Sequence, residues 1–356
     1  MITINYGKDY TKTAYDTLAA SDIKSYLQKN ISVSIKPNLV VERPASDGAT
    51  THPEVIEGII QFLKDFGIKD IKIIENSACG HSAKLAFRVC GYESLQKKYG
   101  VILKDLKDDK FISFKHENID YQISETALKS DFLINAPVLK AHCQTRMTCC
   151  MKNLKGCIPQ SEMRRFHALG LHKPIAGLNV LFKTHYCEKQ FCLVDGICGD
   201  LSFEEGGTPV EANRIIAGQN PLLVDSYCAQ LIGYNPDDIG YLAYGKKLGI
   251  GEYYSQKTKV IELNNEQKPV CEMKNIPRIA DKYRNIIEED SACSVCFAAL
   301  IFALHRKGGV MKGKKICIGQ GFKNKNGDFG IGNCANGFKN YVKGCPPKAV
   351  DILEML

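Results

Sequence analysis

The chain has 356 residues, 44% of them hydrophobic, and carries a formal net charge of +8 at pH 7. A chain of this length can bury a sizeable core in one large domain or two smaller ones. Its lysines are scattered and lack interleaved aromatic residues, which argues against a nucleic-acid binder and favours small anions as ligands. No apolar run approaches the about 18 residues needed to cross a bilayer, and the amino terminus lacks a signal-peptide pattern. We therefore expect a cytoplasmic protein with no membrane partner.

The cysteine content sets a second limit. The sequence contains 16 cysteines and no export signal. Disulfides are rare inside cells, so metal binding in a reducing, anaerobic interior explains this number better.

Strand and helix patterns alternate along most of the chain. Residues 31–36 form a β-branched run, and the helical pattern of Pro53–Phe66 opens with proline and stops at Gly67. Further strands are predicted at 68–75, 101–106, 131–135 and 191–195, and further helices at 82–99, 145–154 and 174–185. This alternation predicts an α/β fold, a mostly parallel sheet with helices on both faces.

The composition changes towards the C-terminus. Residues 267–290 are polar and charged, which is typical of a linker. We predict an α/β domain at residues 1–285 and a small cysteine-rich module at residues 286–356, which the motifs below identify as an iron–sulfur module.

Four cysteines in this C-terminal part carry the strongest functional signal. Cys293 and Cys296 are separated by two residues, Cys334 follows Gly-Asn, and Cys345 precedes two prolines. A two-residue gap lets two thiolates face one metal, and two more from separate loops can close a four-thiolate cage. The Cys-Pro step also ends the ligand run of bacterial ferredoxins, which favours a [4Fe-4S] cluster.

Two alternatives to the cluster remain open at this stage. Zinc ribbons usually have two matched Cys-x2-Cys pairs, whereas this segment has one. Cysteines that bind no metal are also common as small apolar residues, which is our interpretation of Cys317 in a predicted strand.

Polar residues follow the predicted strands. In parallel sheets, ligands bind beyond the carboxyl ends of the strands. Lys36 and Asn38 lie at the first such end and Asp195 at a later one. We predict that they contribute to substrate binding, although each also fits an ordinary strand end.

The segment 135–167 is the densest in chemically active residues. Lys140 and His142 point the same way if the chain is extended there, and a neighbouring ammonium favours the neutral imidazole. Lys152 and His167 complete the predicted catalytic set, and Arg146 and Asn153 join the predicted substrate-binding set. Lysine and arginine suit a carboxylate or phosphate, but a basic surface helix would show the same pattern.

The order of several short motifs resembles the domain-of-unknown-function 362 family. They are Ile-Lys-Pro-Asn-Leu at 35–39, Thr-His-Pro-Glu-Val at 51–55, Asn-Ala-Pro at 135–137, Lys-Asn-Leu at 152–154 and Val-Asp-Gly at 194–196. The resemblance covers about residues 30 to 250, and the cysteine motifs are similar to an extension in some members. It implies an α/β fold and an iron–sulfur cofactor. The chain lacks the Cys-x2-Cys-x2-Cys-x3-Cys-Pro run that many members append.

Three functions are consistent with these features. The first is a reductase that passes electrons from reduced ferredoxin or flavodoxin, through the cluster, to a small anionic substrate. The second is a lyase or isomerase that uses the cluster as a Lewis acid. The third is a carrier of electrons or of the cluster itself. A homodimer is compatible with each, and we favour the reductase.

Overall fold

The computed structural model describes residues 1–204, 206–270, 272–308 and 315–356. Its strands, in chain order, are β1 (Ile2–Tyr6), β2 (Ser32–Pro37), β3 (Asp70–Glu75), β4 (Ile102–Asp105), β5 (Phe111–His116), β6 (Ile119–Ser124), β7 (Phe132–Ala136), β8 (Lys140–His142), β9 (Arg146–Thr148), β10 (Gln190–Asp200), β11 (Pro209–Gly218), β12 (Val260–Leu263), β13 (Ile287–Glu289), β14 (Ile316–Ile318), β15 (Phe329–Ile331) and β16 (Asn340–Val342).

The helices alternate with these strands. In chain order they are α1 (Tyr10–Ala20), α2 (Pro53–Phe66), α3 (Ala83–Val89), α4 (Tyr92–Tyr99), α5 (Glu125–Lys129), α6 (Cys150–Asn153), α7 (Gln160–Ala168), α8 (His172–Tyr186), α9 (Pro221–Leu231), α10 (Gly240–Lys247), α11 (Ser294–Lys307) and α12 (Ala349–Met355).

The largest sheet in the described part of the chain has eight strands in the order β12-β1-β11-β10-β7-β2-β3-β4. Strand β11 pairs antiparallel with β1 and β10, and the other neighbours pair in parallel. The predicted α/β fold with a mostly parallel sheet is therefore confirmed.

Both faces of this sheet are covered by helices. Along β10, Leu193 packs into one hydrophobic core with residues of α1 and α2, and Val194 packs into another with residues of α8 and α9. Successive side chains of a strand point to opposite faces, which explains why neighbours enter different cores. The predicted packing on both faces is confirmed.

Several elements differ from the sequence prediction in detail. The helix predicted at 82–99 is two helices, α3 and α4, because Gly91 between them adopts a φ of +82°. The helix predicted at 145–154 is wrong in its first half, where β9 pairs with β8 as a hairpin and only α6 is helical. The helix Pro53–Phe66 has the bounds that its pattern predicts.

The C-terminal part forms a small sheet of its own, with β13, β14, β15 and β16 adjacent in that order and all parallel. Helices α11 and α12 supply Phe297, Leu300, Ile301 and Ile352 to a separate hydrophobic core. None of the helices in the described residues combines the length and hydropathy needed to cross a membrane.

Candidate functional site

The four C-terminal cysteines lie at one edge of the small sheet. Cys293 caps α11 and Cys296 lies in its first turn, after β13, while Cys334 follows β15 and Cys345 follows β16. Because the strands are parallel, their carboxyl ends meet at the same edge. We call this group of four cysteines the cysteine edge.

The register of the small sheet explains this convergence. Glu289, Ile318, Ile331 and Val342 are paired across the strands. Cys334 lies three positions after Ile331, and Cys345 lies three positions after Val342. Gly321 lies three positions after Ile318 in the same way. A side chain at Gly321 would collide with the carboxylate of Asp290, so a cysteine is sterically excluded at this third position.

Main-chain hydrogen bonds hold adjacent loops of the edge together. The Asn333 N–H donates to the carbonyl of Gly344 at 2.9 Å, and the Gly344 N–H donates to Asn333 Oδ1 at 2.8 Å. These bonds fix the loops that carry Cys334 and Cys345 relative to each other. Cys345 is exposed and the other three cysteines are half-buried.

The thiols of the cysteine edge interact electrostatically. A hydrogen bond from the Cys296 thiol is the largest influence that lowers the pKa of Cys293 to about 7. The pKa of Cys296 is raised, first by that bond and then by burial and by the charges of Cys293, Cys345 and Cys334. The Lys323 ammonium acts on both Cys293 and Cys334. The structure therefore brings the four predicted cysteines together.

A second group of charged residues surrounds the β8–β9 hairpin. Lys140, nearly buried, donates from Nζ to the carbonyls of Ala49 and Glu204, at 2.9 Å each. His142 Nδ1 accepts the N–H groups of Gln144 and Thr145 at 3.2 Å. Lys140 and His142 both face the loop that contains Glu204, as expected for alternate residues of an extended segment.

The carboxylate of Glu204 creates an unusual contact with His142. Its Oε2 lies 3.1 Å from His142 Nδ1 and also accepts the Cys143 N–H at 2.7 Å. Because Nδ1 already accepts two N–H groups, two acceptors face each other and require a proton or a cation between them. The Sγ of Cys143 lies within 4.8 Å of both ligand atoms, so this group can hold a metal ion.

Lys152, Lys155 and His167 extend this positive region, which together with Lys140 and His142 we call the lysine–histidine cluster. Burial lowers the pKa of Lys152 well below its usual range and that of Lys155 to about 8. Burial and the charges of Lys155 and Lys152 lower the pKa of His167 to about 2. Burial and the lysine charges also hold the pKa of His142 well below its usual value. Both imidazoles are therefore neutral near pH 7.

The cysteine edge and the lysine–histidine cluster are in direct contact. Ser294, next to Cys293, donates a hydrogen bond to Gln144 Oε1 at 2.8 Å and lies 3.5 Å from His167 Nδ1. Gln144 Nε2 donates to Glu289 Oε1 at 2.6 Å and to the carbonyl of Ala292 at 3.0 Å. The residue next to Cys293 is therefore in contact with His167 of the lysine–histidine cluster.

The predicted substrate-binding residues have different surroundings. Lys36 is buried and lies 2.7 Å from Glu75 Oε1. The amide of Asn153 bonds the Lys36 carbonyl and Asn135, while Asn38 Oδ1 accepts the N–H of Val40. These three polar groups are engaged inside the protein.

Asp195 and Arg146 also have protein partners. Asp195 is buried, and its Oδ2 accepts the main-chain N–H and Nδ1–H of His52, both at 2.8 Å. Arg146 lies over the ring of Tyr234 and 3.8 Å from Asp238. Both side chains are therefore engaged by other groups of the protein.

Several residues of the site were not predicted from the sequence. One of them is Lys155, a member of the lysine–histidine cluster. The others lie beside that cluster and are Glu204, Cys143, Gln144 and Ser294. Ser294 lies inside the Cys-x2-Cys motif, which marks its neighbourhood as a candidate site. Glu204 lies in an acidic loop that contains no recognisable motif. A surface hollow of about 580 Å³ between α1, α2 and α4 includes none of these residues.

Comparison with known proteins adds a family and a relative. A family model described as Domain of unknown function (DUF362) matches residues 33–230, more than half of the chain. A thylakoid-associated protein of Synechocystis sp. is 22% identical over 261 residues, which cover 72% of this chain and 79% of that protein.

Two solved structures are similar to part of the chain. A protein from Thermotoga maritima is 15% identical with a TM-score of 0.40, over 63% of this chain and 60% of its own. The lactate racemase apoprotein from Thermoanaerobacterium thermosaccharolyticum is 13% identical with a TM-score of 0.42, over 65% of this chain and 57% of its own. The chain thus spans about 60% of the length of these two proteins.

Proposed function

The chain belongs to the DUF362 family, and we propose that it is an iron–sulfur reductase of a small anionic substrate. In this proposal Cys293, Cys296, Cys334 and Cys345 hold a [4Fe-4S] cluster, and the lysine–histidine cluster binds the anion. Reduced ferredoxin or flavodoxin supplies the electrons. The observation that carries the proposal is the contact of Ser294 with both Gln144 and His167, which joins the two groups.

The arrangement of the four cysteines in the sequence supports a cluster over a single zinc ion. Zinc ribbons usually have two matched Cys-x2-Cys pairs. Here one such pair is joined by two cysteines from separate loops, and the Cys345–Pro346 step also ends the ligand run of bacterial ferredoxins.

The balance of charge supports an anionic ligand. Lys152 and Lys155 lack a carboxylate within ion-pair distance among the described residues, and Glu204 is the acidic group that acts on both. A buried cation without a partner is costly, so an anion bound between the two lysines would stabilise the protein. Lys152 Nζ bonds only the hydroxyl of Thr148 among the described residues, at 3.0 Å, and retains N–H groups for a ligand.

The neutral histidines suit proton transfer. A two-electron reduction of the substrate consumes two electrons from the ferredoxin or flavodoxin and two protons from solvent. When bound, a cluster of this kind supplies electrons singly. His167 Nδ1 faces the Ser294 hydroxyl, so that pair can relay a proton from solvent to the anion.

Exposure of Cys345 favours a second candidate function, that of a carrier which delivers electrons or the cluster to another protein. A carrier requires the cysteine edge but no anion. An effect of added anions on the protein would therefore distinguish the reductase from the carrier.

The first experiment tests the cluster. The full chain is purified without oxygen, supplied with iron and sulfide, reduced with dithionite and examined by electron paramagnetic resonance. We expect a cluster signal that Cys296→Ser or Cys345→Ser abolishes. Cys317→Ser is the matched control, because that thiol lies on β14 of the same sheet beside Glu288. A full signal in Cys296→Ser, or none in the native protein, would refute the cluster.

The second experiment tests the anion site with inorganic phosphate. Ligand at 100 times its Kd stabilises a protein by about 2.7 kcal/mol, which raises the melting temperature. We expect this rise in the native chain but not in Lys152→Met, with exposed Lys189→Met as the matched control. An equal rise in all three proteins would remove the lysine–histidine cluster as the binding site. A cluster signal without any anion response would favour the carrier.

A further inference from the structure

A second group of thiols lies inside the main domain, away from the cysteine edge. It consists of Cys149 after β9, Cys150 at the start of α6, Cys192 on β10 and Cys228 on α9. Each of these residues is at most 2% exposed. We call this group the core thiol cluster. It joins three segments that are distant in sequence.

The thiols are close to one another. Cys149 Sγ and Cys150 Sγ are 3.9 Å apart. The thiol of Cys228 interacts with that of Cys149, and the thiol of Cys192 interacts with that of Cys150. The spacing of the adjacent pair matches the edge of a tetrahedral zinc–sulfur site, about 3.8 Å.

A carboxylate completes the group. Asp225 is fully buried, and its two oxygens accept the N–H groups of Cys150 at 2.7 Å and Met151 at 2.9 Å. One of its oxygens and the sulfurs of Cys149 and Cys150 all lie within 4.8 Å of one another. The partners of Asp225 in the described residues are N–H groups and thiols, with no cationic side chain in contact. A buried carboxylate of this kind requires a proton or a metal ion.

We propose that three members of the core thiol cluster, Cys149, Cys150 and Cys228, form a structural zinc site together with Asp225. Thiolates favour zinc over harder divalent ions, and four protein ligands close the coordination sphere. On binding, the ion displaces the thiol protons to solvent, with no change in oxidation state. The four proposed ligands are fully buried, so the ion enters while the chain folds.

The zinc site has a role near the lysine–histidine cluster. Cys150 and Lys152 share the short helix α6, whose first N–H groups are held by Asp225. An ion that ties Cys149 and Cys150 to α9 would fix the position of Lys152. This site goes beyond the proposed function and does not depend on it.

Ordinary burial of cysteine is the competing explanation, and Cys157 provides the comparison. It is fully buried in the same hydrophobic core, but its charged neighbours are Lys36 and Glu75, and no thiol among the described residues acts on its pKa. Cys157→Ser therefore removes a buried thiol without removing a proposed ligand.

The experiment measures zinc in the full-length chain that carries Cys293→Ser and Cys296→Ser, so that the cysteine edge cannot retain the metal. We expect about one zinc ion per chain after purification. Adding Cys149→Ser and Cys228→Ser should reduce the zinc content at least fivefold, whereas adding Cys157→Ser should leave it unchanged. An absence of zinc in the background protein, or an equal content in both derivatives, would overturn the proposal.

A spectroscopic measurement covers the case in which the double replacement does not fold. The background protein is unfolded, freed of metal and refolded with Co²⁺, which gives thiolate charge-transfer and visible absorption bands in a tetrahedral site. We expect these bands, and we expect Asp225→Asn to shift the visible bands while Cys157→Ser does not. Bands that are unaffected by Asp225→Asn, or a refolded protein without bands, would contradict the site.

Discussion

Lys36 and Glu75 form a buried ion pair between neighbouring parallel strands, with Nζ 2.7 Å from Oε1. The other carboxylate oxygen of Glu75 accepts the N–H of Leu39 at 2.6 Å. Gly156 packs against this pair so closely that a side chain there would collide with both partners. The pair thus ties β2, β3 and the segment after α6 together.

Replacing Lys36 by methionine should destabilise the protein. The change leaves Glu75 buried without its cation, which costs about 3 to 5 kcal/mol. Denaturation in urea measures the loss. The control is Lys72→Met, which removes the partially exposed pair Lys72–Asp70 on β3 and should cost about 1 kcal/mol or less. The double variant Lys36→Met/Glu75→Gln should recover part of the loss; equal losses in both single lysine variants would contradict this role.

This ion pair shows what sequence patterns can and cannot predict. The strand before Lys36 and the polar residues at its end follow from β-branched runs and their termini. The partner does not, because Glu75 ends a separate strand and only the pairing of β2 with β3 brings its carboxylate close to Lys36. The sequence pattern therefore predicts that the Lys36 ammonium binds a ligand, whereas in the structure it is paired with Glu75.

The candidate site was predictable to different extents. The cysteine edge follows from a local motif and short loops, and the helix bounds Pro53–Phe66 follow from proline and glycine. The strand Arg146–Thr148 is wrongly predicted as helix, because Thr148 and Lys152 have the four-residue spacing of one helix face. Their side chains do lie 3.0 Å apart, although only Lys152 belongs to a helix. Glu204 lies more than 60 residues from His142 and has no periodic pattern.

Gln144→Leu tests the contact between the cysteine edge and the hairpin. Leucine has a similar size but cannot form the three hydrogen bonds to Ser294, Glu289 and Ala292. We expect the free energy of unfolding to fall by about 2 to 4 kcal/mol, since each lost bond costs about 1 kcal/mol or somewhat more. Urea denaturation measures this fall. We also expect faster loss of iron to a chelator from the reconstituted protein.

The control for Gln144→Leu is Gln96→Leu, which changes an exposed residue of α4. It should alter neither the stability nor the rate of iron loss. If Gln144→Leu released iron no faster than Gln96→Leu, the contact would have no part in holding the loop of Cys293.

His52 predicts a dependence of stability on alkaline pH. Burial acts to lower its pKa, but the charge and hydrogen bond of Asp195 outweigh burial, so the pKa is raised above 6.5. A raised folded-state pKa means that the protonated pair stabilises fully below about pH 6.5 and that this stability is lost as pH rises through the folded value. His52→Asn keeps a donor for Asp195 but does not titrate.

The measurement compares unfolding free energies of the native chain and His52→Asn between pH 6 and pH 9. The difference between the two proteins should shrink as pH rises, while other titrating groups, such as Lys155, affect both alike. A difference that stays constant across this range would show that the pKa of His52 is the same in the folded and the unfolded chain.

His172 predicts the opposite behaviour in acid. Its ring stacks on Tyr241 with centroids 6.3 Å apart, and its buried Nδ1 has no hydrogen-bond partner in the described residues. Burial, followed by the charges of Arg284, Lys152 and Arg146, lowers its pKa to about 4. Below pH 6.5 the unfolded chain binds a proton that the folded chain refuses, so this histidine makes the protein less stable as pH falls towards 4.

A pKa change from 6.5 to about 4 corresponds to a loss of about 2 kcal/mol between pH 7.5 and pH 5. His172→Phe keeps the stacking and removes the titration, so this variant should avoid that part of the loss. Urea denaturation at the two pH values measures both proteins, and exposed His305→Phe serves as the control. If the native chain and His172→Phe lost the same free energy on acidification, the imidazole would be protonated in the folded protein at pH 5, despite its burial and the nearby charges of Arg284, Lys152 and Arg146.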